Sequence, residues 1–334
     1  MKKVWKVWVV ILLLAATILY TISMQYNRKE TVSTDSYQYL IGVSLPNVIE
    51  PWLNNFVDVF AEKVSQDENI NVIFRDAAGN PEKQIQDIKT LMEYGIDILI
   101  VSPDGSDSLD AVLSEAYQQI PVILTGVGSG TEDYTCLIQS DDQKIGRLAG
   151  EYILNNLYKK NKKIVVFQGV EESPVSKQRL KGFHDSVQGT IPEEDITYYC
   201  GDWLRDRAEL RMKDYLISHD SADIVFAFND DMAYGAYQAC QQYRIEGKVH
   251  LIGVDGFEGE SAGLSLLDKG VLDATIQTPD FGGLSYEIAR KLLEGNKVEK
   301  NIPFGFFCFV WIFFKPFGFF CFVWIFFKPF VFFC

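Results

Sequence analysis

INVIFRDAAGNPEKQIQDIKTLMEYGIDILIVSP, residues 70–103, decides the fold. It opens on a β-rich apolar run, INVIFR (70–75), and closes on another, DILIVS (97–102). Between them Asn80-Pro81 supplies a helix start, and the amphipathic stretch that follows ends near Tyr94-Gly95. A strand, a helix and a second strand at this spacing make a βαβ unit, which builds parallel sheet. The alternation extends in both directions. LIGVSL (40–45) precedes it, and PVILTG (121–126), TCLIQS (135–140), KIVVFQG (163–169) and ITYYCG (196–201) follow. DIVFAFN (223–229), VHLIGVDG (249–256) and LDATIQT (272–278) complete the series. Near-continuous Val/Ile/Leu strands separated by helical segments, such as the one headed by Asp142 (QKIGRLAGEYILNNL), indicate parallel sheets covered on both faces. Ten such strands exceed one compact sheet, so two α/β lobes are expected, each with its own core.

In open parallel sheets, ligands bind beyond the carboxyl ends of the strands. That rule selects Pro46 to Trp52, Gly126-Val127, Ser140-Asp141, Trp203, Asn229-Asp230, Asp255-Gly256 and Gln277-Thr278. If the lobes face each other, these residues converge on one cleft.

The stretches IGVSLP with PWL (51–53), 75–103, SDDQKIGRLAG (140–150) and FQGVEESPVSKQRLKGF (167–183) stand in this order, followed by VFAFNDDMAYGA (225–236), LIGVDG (251–256) and DATIQTPDFGG (273–283). The series, covering about 40 to 298, resembles the ribose/galactose-type periplasmic binding proteins, whose core is shared with Lac-repressor-type regulators. The resemblance implies two Rossmann-like lobes joined by three crossovers, with a sugar between them. It carries the family's ligand positions onto Glu50 and Trp52 in lobe 1, and onto Lys177, Trp203, Asn229, Asp255 and Gln277 in lobe 2. The chemistry fits: carboxylates and amides engage neighbouring hydroxyls, and indoles pack on the C–H faces of sugar rings. The chain departs from the ribose-type pattern at Gly126-Val127, where an Asp-Arg pair is usual, at Glu50 for asparagine, and at Lys177 for arginine. Lysine does not reproduce a guanidinium fork. Glu50 is expected to partner Lys177 across the cleft or to face an amine or hydroxyl-rich ligand.

Each residue also has a plainer reading. Trp52 and Trp203 are candidates for ordinary core aromatics, although both sit at loop edges. Asp230 is expected to cap the helix through Met232-Ala233-Tyr234, freeing Asn229 for the ligand. Asp255-Gly256 reads as a ligand contact or a turn, and Glu50 and Lys177 as contacts or surface charge. Glu171-Glu172 reads as a solvated loop, and His184 receives no role.

Other classes fit poorly. A net charge of −14, from 45 acidic and 31 basic residues, leaves no basic footprint for nucleic acid. IGVSLPNVIEPW lacks the glycines of a dinucleotide site, and GVGSG (126–130) has the wrong spacing. Ser173 and Asp141 have no nearby histidine to make a catalytic triad. No enzyme, cofactor or metal is expected, since Cys136, Cys200 and Cys240 are isolated and His184, His219 and His250 lie near no cysteine at ligand spacing. A transcriptional regulator requires a helix-turn-helix where this chain has a hydrophobic run.

That run, Val7 to Met24, follows Lys2, Lys3 and Lys6 and is long enough to span a bilayer with an exported remainder. An uncleaved anchor over 1–27 is favoured over a cleaved signal peptide because no A-x-A site follows it. Residues 28–39 read as a linker, 40–140 plus 279–298 as lobe 1, and 141–278 as lobe 2. At the other end FGFFCFVWIFFKP occurs at 304–316 and again at 317–329, and the tail contains fifteen of the 24 phenylalanines. We read 304–334 as an aberrant aromatic repeat, a frameshift or assembly artefact, replacing the family's final strand after Ile302-Pro303; a hydrophobic hairpin is the rival. The expected mechanism is closure about a hinge near Ser140 and Gln277 in a monomer held to the membrane, extracytoplasmically, by its N-terminus. Two partners fit: a permease with its ATPase, or a sensor kinase.

Overall fold

A computed structural model describes residues 37–303, except 104, 220–221 and 260–261. The anchor expected at 1–27, most of the linker and the aromatic repeat at 304–334 lie outside the described residues.

All ten expected strands form, and each sheet is parallel throughout. In lobe 1, β1 (Tyr39–Leu45), β2 (Ile70–Asp76), β3 (Ile98–Val101), β4 (Val122–Gly126) and β5 (Cys136–Gln139) are joined by an eleventh strand, β11 (Asn301–Pro303), in the order β11-β5-β4-β3-β1-β2. In lobe 2, β6 (Ile164–Gln168), β7 (Ile196–Cys200), β8 (Ile224–Ala227), β9 (His250–Asp255) and β10 (Ala274–Gln277) follow the order β10-β9-β8-β6-β7. The two sheets share one winding: the first strand lies between the second and the third, so the chain reverses direction across the sheet at β1/β3 and again at β6/β8. β11 extends the first lobe beyond the expected boundary at 298. It adds an edge strand through Asn301↔Leu137 pairing and a Leu137 N–H bond to the Lys300 carbonyl at 2.7 Å.

Lobe 1 sandwiches its sheet between α1 (Pro51–Ser65) and α9 (Phe281–Leu293) on one face, and α2 (Pro81–Glu93) and α3 (Asp110–Tyr117) on the other. Lobe 2 wraps its sheet with α4 (Asp142–Tyr152), α5 (Pro174–Val187), α6 (Arg205–Ser218), α7 (Asp230–Gln242) and α8 (Gly263–Asp268) around one core. Burying both faces is what lets Ile41, Val43, Ile98, Leu99, Ile164 and Val165 run on without polar interruption. Proline sits at the start of α1, α2 and α5, where its missing N–H is harmless. Asn80 caps α2 by accepting from Lys83 N–H at 2.9 Å. The cap of α4 is Asp141, accepting from Lys144 N–H at 2.9 Å, rather than Asp142, which turns inward. α4 and α5 cross at Gly146 and Gly182, where an added methyl would stand 1.9 Å from the Arg179 carbonyl and 1.8 Å from that of Gln143.

The chain passes between lobes at residues 139–142 and 277–281, which are two of the three crossovers the resemblance implies. Cys136 and Cys240 are buried, whereas Cys200 is exposed, with two acceptors, Asp202 and the Gly169 carbonyl, within reach of its thiol.

Candidate functional site

A cavity of about 750 Å³ opens between the lobes at the carboxyl ends of both sheets. Six of the seven residues singled out above line it: Glu50, Trp52, Lys177, Trp203, Asn229 and Asp255. Gln277 does not. It packs on Gly256, whose added methyl would stand 3.0 Å from the Gln277 Cα and Cβ, and the next residue, Thr278, lines the cavity instead. Ser140, the other residue expected at the hinge, also lines it.

Each indole has a glycine as its seat. Trp52, at the first turn of α1, lies over Gly126 at the end of β4, where a Cβ would sit 2.8 Å from its ring, and meets Phe281 edge-on at 5.7 Å between centroids. Trp203 lies against Gly169, just past β6, where a Cβ would come 2.0 Å from the ring. Asp202 and Trp203 adopt φ of +52° and +65°, and Asp255 φ of +113°, backbone that non-glycine residues rarely hold. Such positions cost on the order of 1–3 kcal/mol each and cluster where a side chain must be aimed.

Asn229, not Asp230, caps α7: its Oδ1 accepts from Met232 N–H at 2.8 Å, and its Nδ2 donates to the Trp203 carbonyl at 3.0 Å. Asp230 instead accepts from Gly256 N–H and from the Thr275 hydroxyl, each at 2.7 Å, and burial pushes its carboxyl to about 7. The expected exchange of roles is therefore reversed. Asn229 both starts the helix and fixes the Trp203 turn. Asp230 braces the Gly256 turn that presents Asp255.

Lys177 does not reach Glu50. Its ammonium pairs with Glu172 on its own lobe at 2.8 Å, with both side chains largely in solvent. A guanidinium, expected from the resemblance to be replaced by Lys177, is present two residues later. Arg179 is 6 % exposed, donates from Nε to Asp142 at 2.8 Å and from Nη1 to the Phe228 carbonyl, and lies 5.6 Å from the Trp203 ring centroid. Two residues along a helix turn about 200°, so Lys177 is carried to the rim and Arg179 inward. The signal was available: Ser176, Arg179, Gly182 and Phe183 recur at helical spacing and all are buried. Asp142 completes the cluster by accepting from the Ser140 hydroxyl at 2.7 Å.

Asp255 is 7 % exposed, lines the cavity, and has no hydrogen bond to its carboxylate among the described residues; burial holds it well above the usual carboxylate range. Burial likewise pushes Glu50 up to about 7, against the hydrogen bond from the Trp52 side chain. Ser102, at the end of β3, and Phe281, at the start of α9, complete the lobe 1 wall and were not singled out from sequence. Among the described residues no group of three or more His, Cys, Asp or Glu is arranged to hold a metal ion. The arrangement can pack a small ring against an indole and pair hydroxyls with carboxyl, amide and guanidinium groups.

The sequence profile of the periplasmic binding protein domain matches residues 41–297. The ribose import binding protein RbsB of Bacillus subtilis is 28 % identical over 277 residues, 82 % of this chain and 88 % of that protein. RbsB of Salmonella typhimurium is 31 % identical over 246 residues, 73 % of this chain and 81 % of that one. Among solved structures, the fructose-binding periplasmic domain of a hybrid two-component system is similar with a TM-score of 0.71 at 31 % identity, covering 80 % of this chain and 89 % of that one.

Proposed function

This chain belongs to the periplasmic binding protein family, and from that premise we propose that it binds a monosaccharide or similar small polyol outside the cytoplasm by closure of its two lobes. In this reading it is the substrate-binding component of a sugar importer, delivering its ligand to a permease and ATPase. The observation that carries the reading is the pair of glycine-seated indoles, Trp52 from lobe 1 and Trp203 from lobe 2, lining one cavity with Arg179 and Asp255. A sugar has two kinds of surface. Its C–H faces pack on the indoles, while its hydroxyls donate to Asp255 and accept from Arg179. A ligand touching both lobes stabilises the closed arrangement over the open one by its differential affinity for the two. An N-terminal anchor over 1–27 would keep the receptor at the membrane.

A second reading makes the chain a membrane-held sugar co-receptor for a sensor kinase. It is favoured by the similarity to a fructose-binding domain that belongs to a two-component system.

The test is titration of the full-length chain, in detergent, with monosaccharides and polyols, following tryptophan fluorescence and melting temperature. A bound ligand raises stability by mass action. Stabilisation by nucleotides or amino acids alone would overturn the assignment. In cells carrying the gene, its deletion should abolish uptake of the ligand. Loss of a transcriptional response with uptake intact would instead support the kinase reading.

A further inference from the structure

We propose that the ligand of this cleft carries a protonated nitrogen, as an amino sugar or amino polyol does, seated between Glu50 of the first lobe and Asp255 of the second. The inference rests on the receptor reading above and adds the ligand's charge to it. Five charged side chains among the described residues line the cavity: Glu50, Glu172, Lys177, Arg179 and Asp255. Both cations are already engaged, Lys177 with Glu172 and Arg179 with Asp142 and the Phe228 carbonyl. Gly126 and Val127, on the lobe 1 wall, add no charge. What remains is one carboxyl on each facing wall without a partner cation of its own.

Asp255 is the sharper case, 7 % exposed with no hydrogen bond to its carboxylate among the described residues. Arg179 on α5 is the cation that faces it, while Asp142 on α4 and Asp230 and Asp231 on α7 add negative charge around it. Across the cavity from Glu50 the charged groups are Arg179 and Asp255, with Lys177 and Glu172 satisfied by each other. A buried carboxylate without a counter-charge is costly and retreats to its neutral form, which is the direction burial drives both Glu50 and Asp255. An ammonium group reverses that balance. It supplies the missing charge, forms charge-assisted hydrogen bonds with each carboxylate, and displaces a proton from the site as it enters. A neutral polyol needs neither ionisation nor proton release.

The experiment is calorimetric titration of the full-length chain in detergent at neutral pH. The probes are glucosamine, galactosamine, mannosamine and 1-amino-1-deoxypentitols, each beside its neutral parent and its N-acetyl derivative. The expected result is that one amine binds roughly tenfold or more tighter than its neutral parent, the scale of a charged hydrogen bond. Its heat should vary with the ionisation enthalpy of the buffer, reporting proton release. Glu50→Gln, which keeps side-chain shape, should remove most of the preference, and so should Asp255→Asn, with circular dichroism reporting the fold of both. Neutral sugars binding as tightly as their amines would overturn the charge assignment and leave the receptor reading standing. A preference that survives both substitutions would overturn the proposed seat. If the folded chain bound no sugar, charged or neutral, the receptor reading would fall with it.

Discussion

A single methyl group at Gly169 tests the binding wall with little else disturbed. The backbone there is compatible with alanine, yet the new Cβ would stand 2.0 Å from Cζ2, 2.1 Å from Cε2 and 2.3 Å from Cη2 of Trp203. Carbon atoms settle at about 3.5–4.0 Å, so the indole must retreat by more than an ångström. It cannot do so by sliding its backbone, because the Trp203 carbonyl accepts from Asn229 at 3.0 Å and Asn229 is committed to the α7 cap. The ring therefore swings off its seat. Overpacking of this kind costs about 1–3 kcal/mol of stability. Loss of an aromatic contact worth about 0.5–1.5 kcal/mol weakens a stacked ligand up to roughly tenfold. Gly169→Ala should thus lower the melting temperature modestly, shift the tryptophan emission and weaken sugar binding. Gly247→Ala, where the added methyl meets nothing within 4 Å, serves as the neutral control. Wild-type affinity and emission in Gly169→Ala would refute the assignment of Trp203 to the binding wall.

Two further expectations concern the charges. Burial raises Glu50 from 4.5 to about 7, so the folded chain binds more protons than the unfolded one between those values. The stability this contributes is fully present below 4.5 and is lost as pH rises through 7, by on the order of 3 kcal/mol. Urea titrations across that range should show the decline, to which the buried Asp230 carboxyl contributes in the same direction, and Glu50→Gln should make it shallower; an unchanged slope in the variant would remove Glu50 as a source. Arg179→Met should destabilise the chain by about 3–5 kcal/mol, since it strands the buried Asp142 carboxylate. A loss below about 1 kcal/mol would show that Asp142 discharges its cost by protonation.

The strands were legible because parallel sheets buried on both faces write themselves as uninterrupted apolar runs, from LIGVSL to LDATIQT. β11 was not, because three residues ending in proline carry no such run, and their pairing with β5 joins segments far apart in the chain. Strand ends located the cavity, since chain direction alone decides which loops face it. Side-chain direction was harder. Asn229 and Asp230 are both capping residues, and composition does not say which one the helix will take. Lys177 and Arg179 are both cations on one helix, and only the period of the buried stripe separates them. Gln277 and Thr278 are adjacent at a strand end, where a one-residue difference exchanges the face presented. Misreadings fell where the choice was between neighbours of like chemistry, not between regions of the fold.

Asp142 has two carboxylate oxygens, and each has a different customer: one takes the hydroxyl of Ser140, in the segment passing between the lobes, and the other the guanidinium of Arg179 in the cavity wall. If the lobes close about Ser140, the pivot and the grip share one fastener. Under the lobe closure proposed above, a guest that draws Arg179 toward itself would pull on Ser140 through Asp142, one side chain linking the cavity to the segment between the lobes without passing through the sheets.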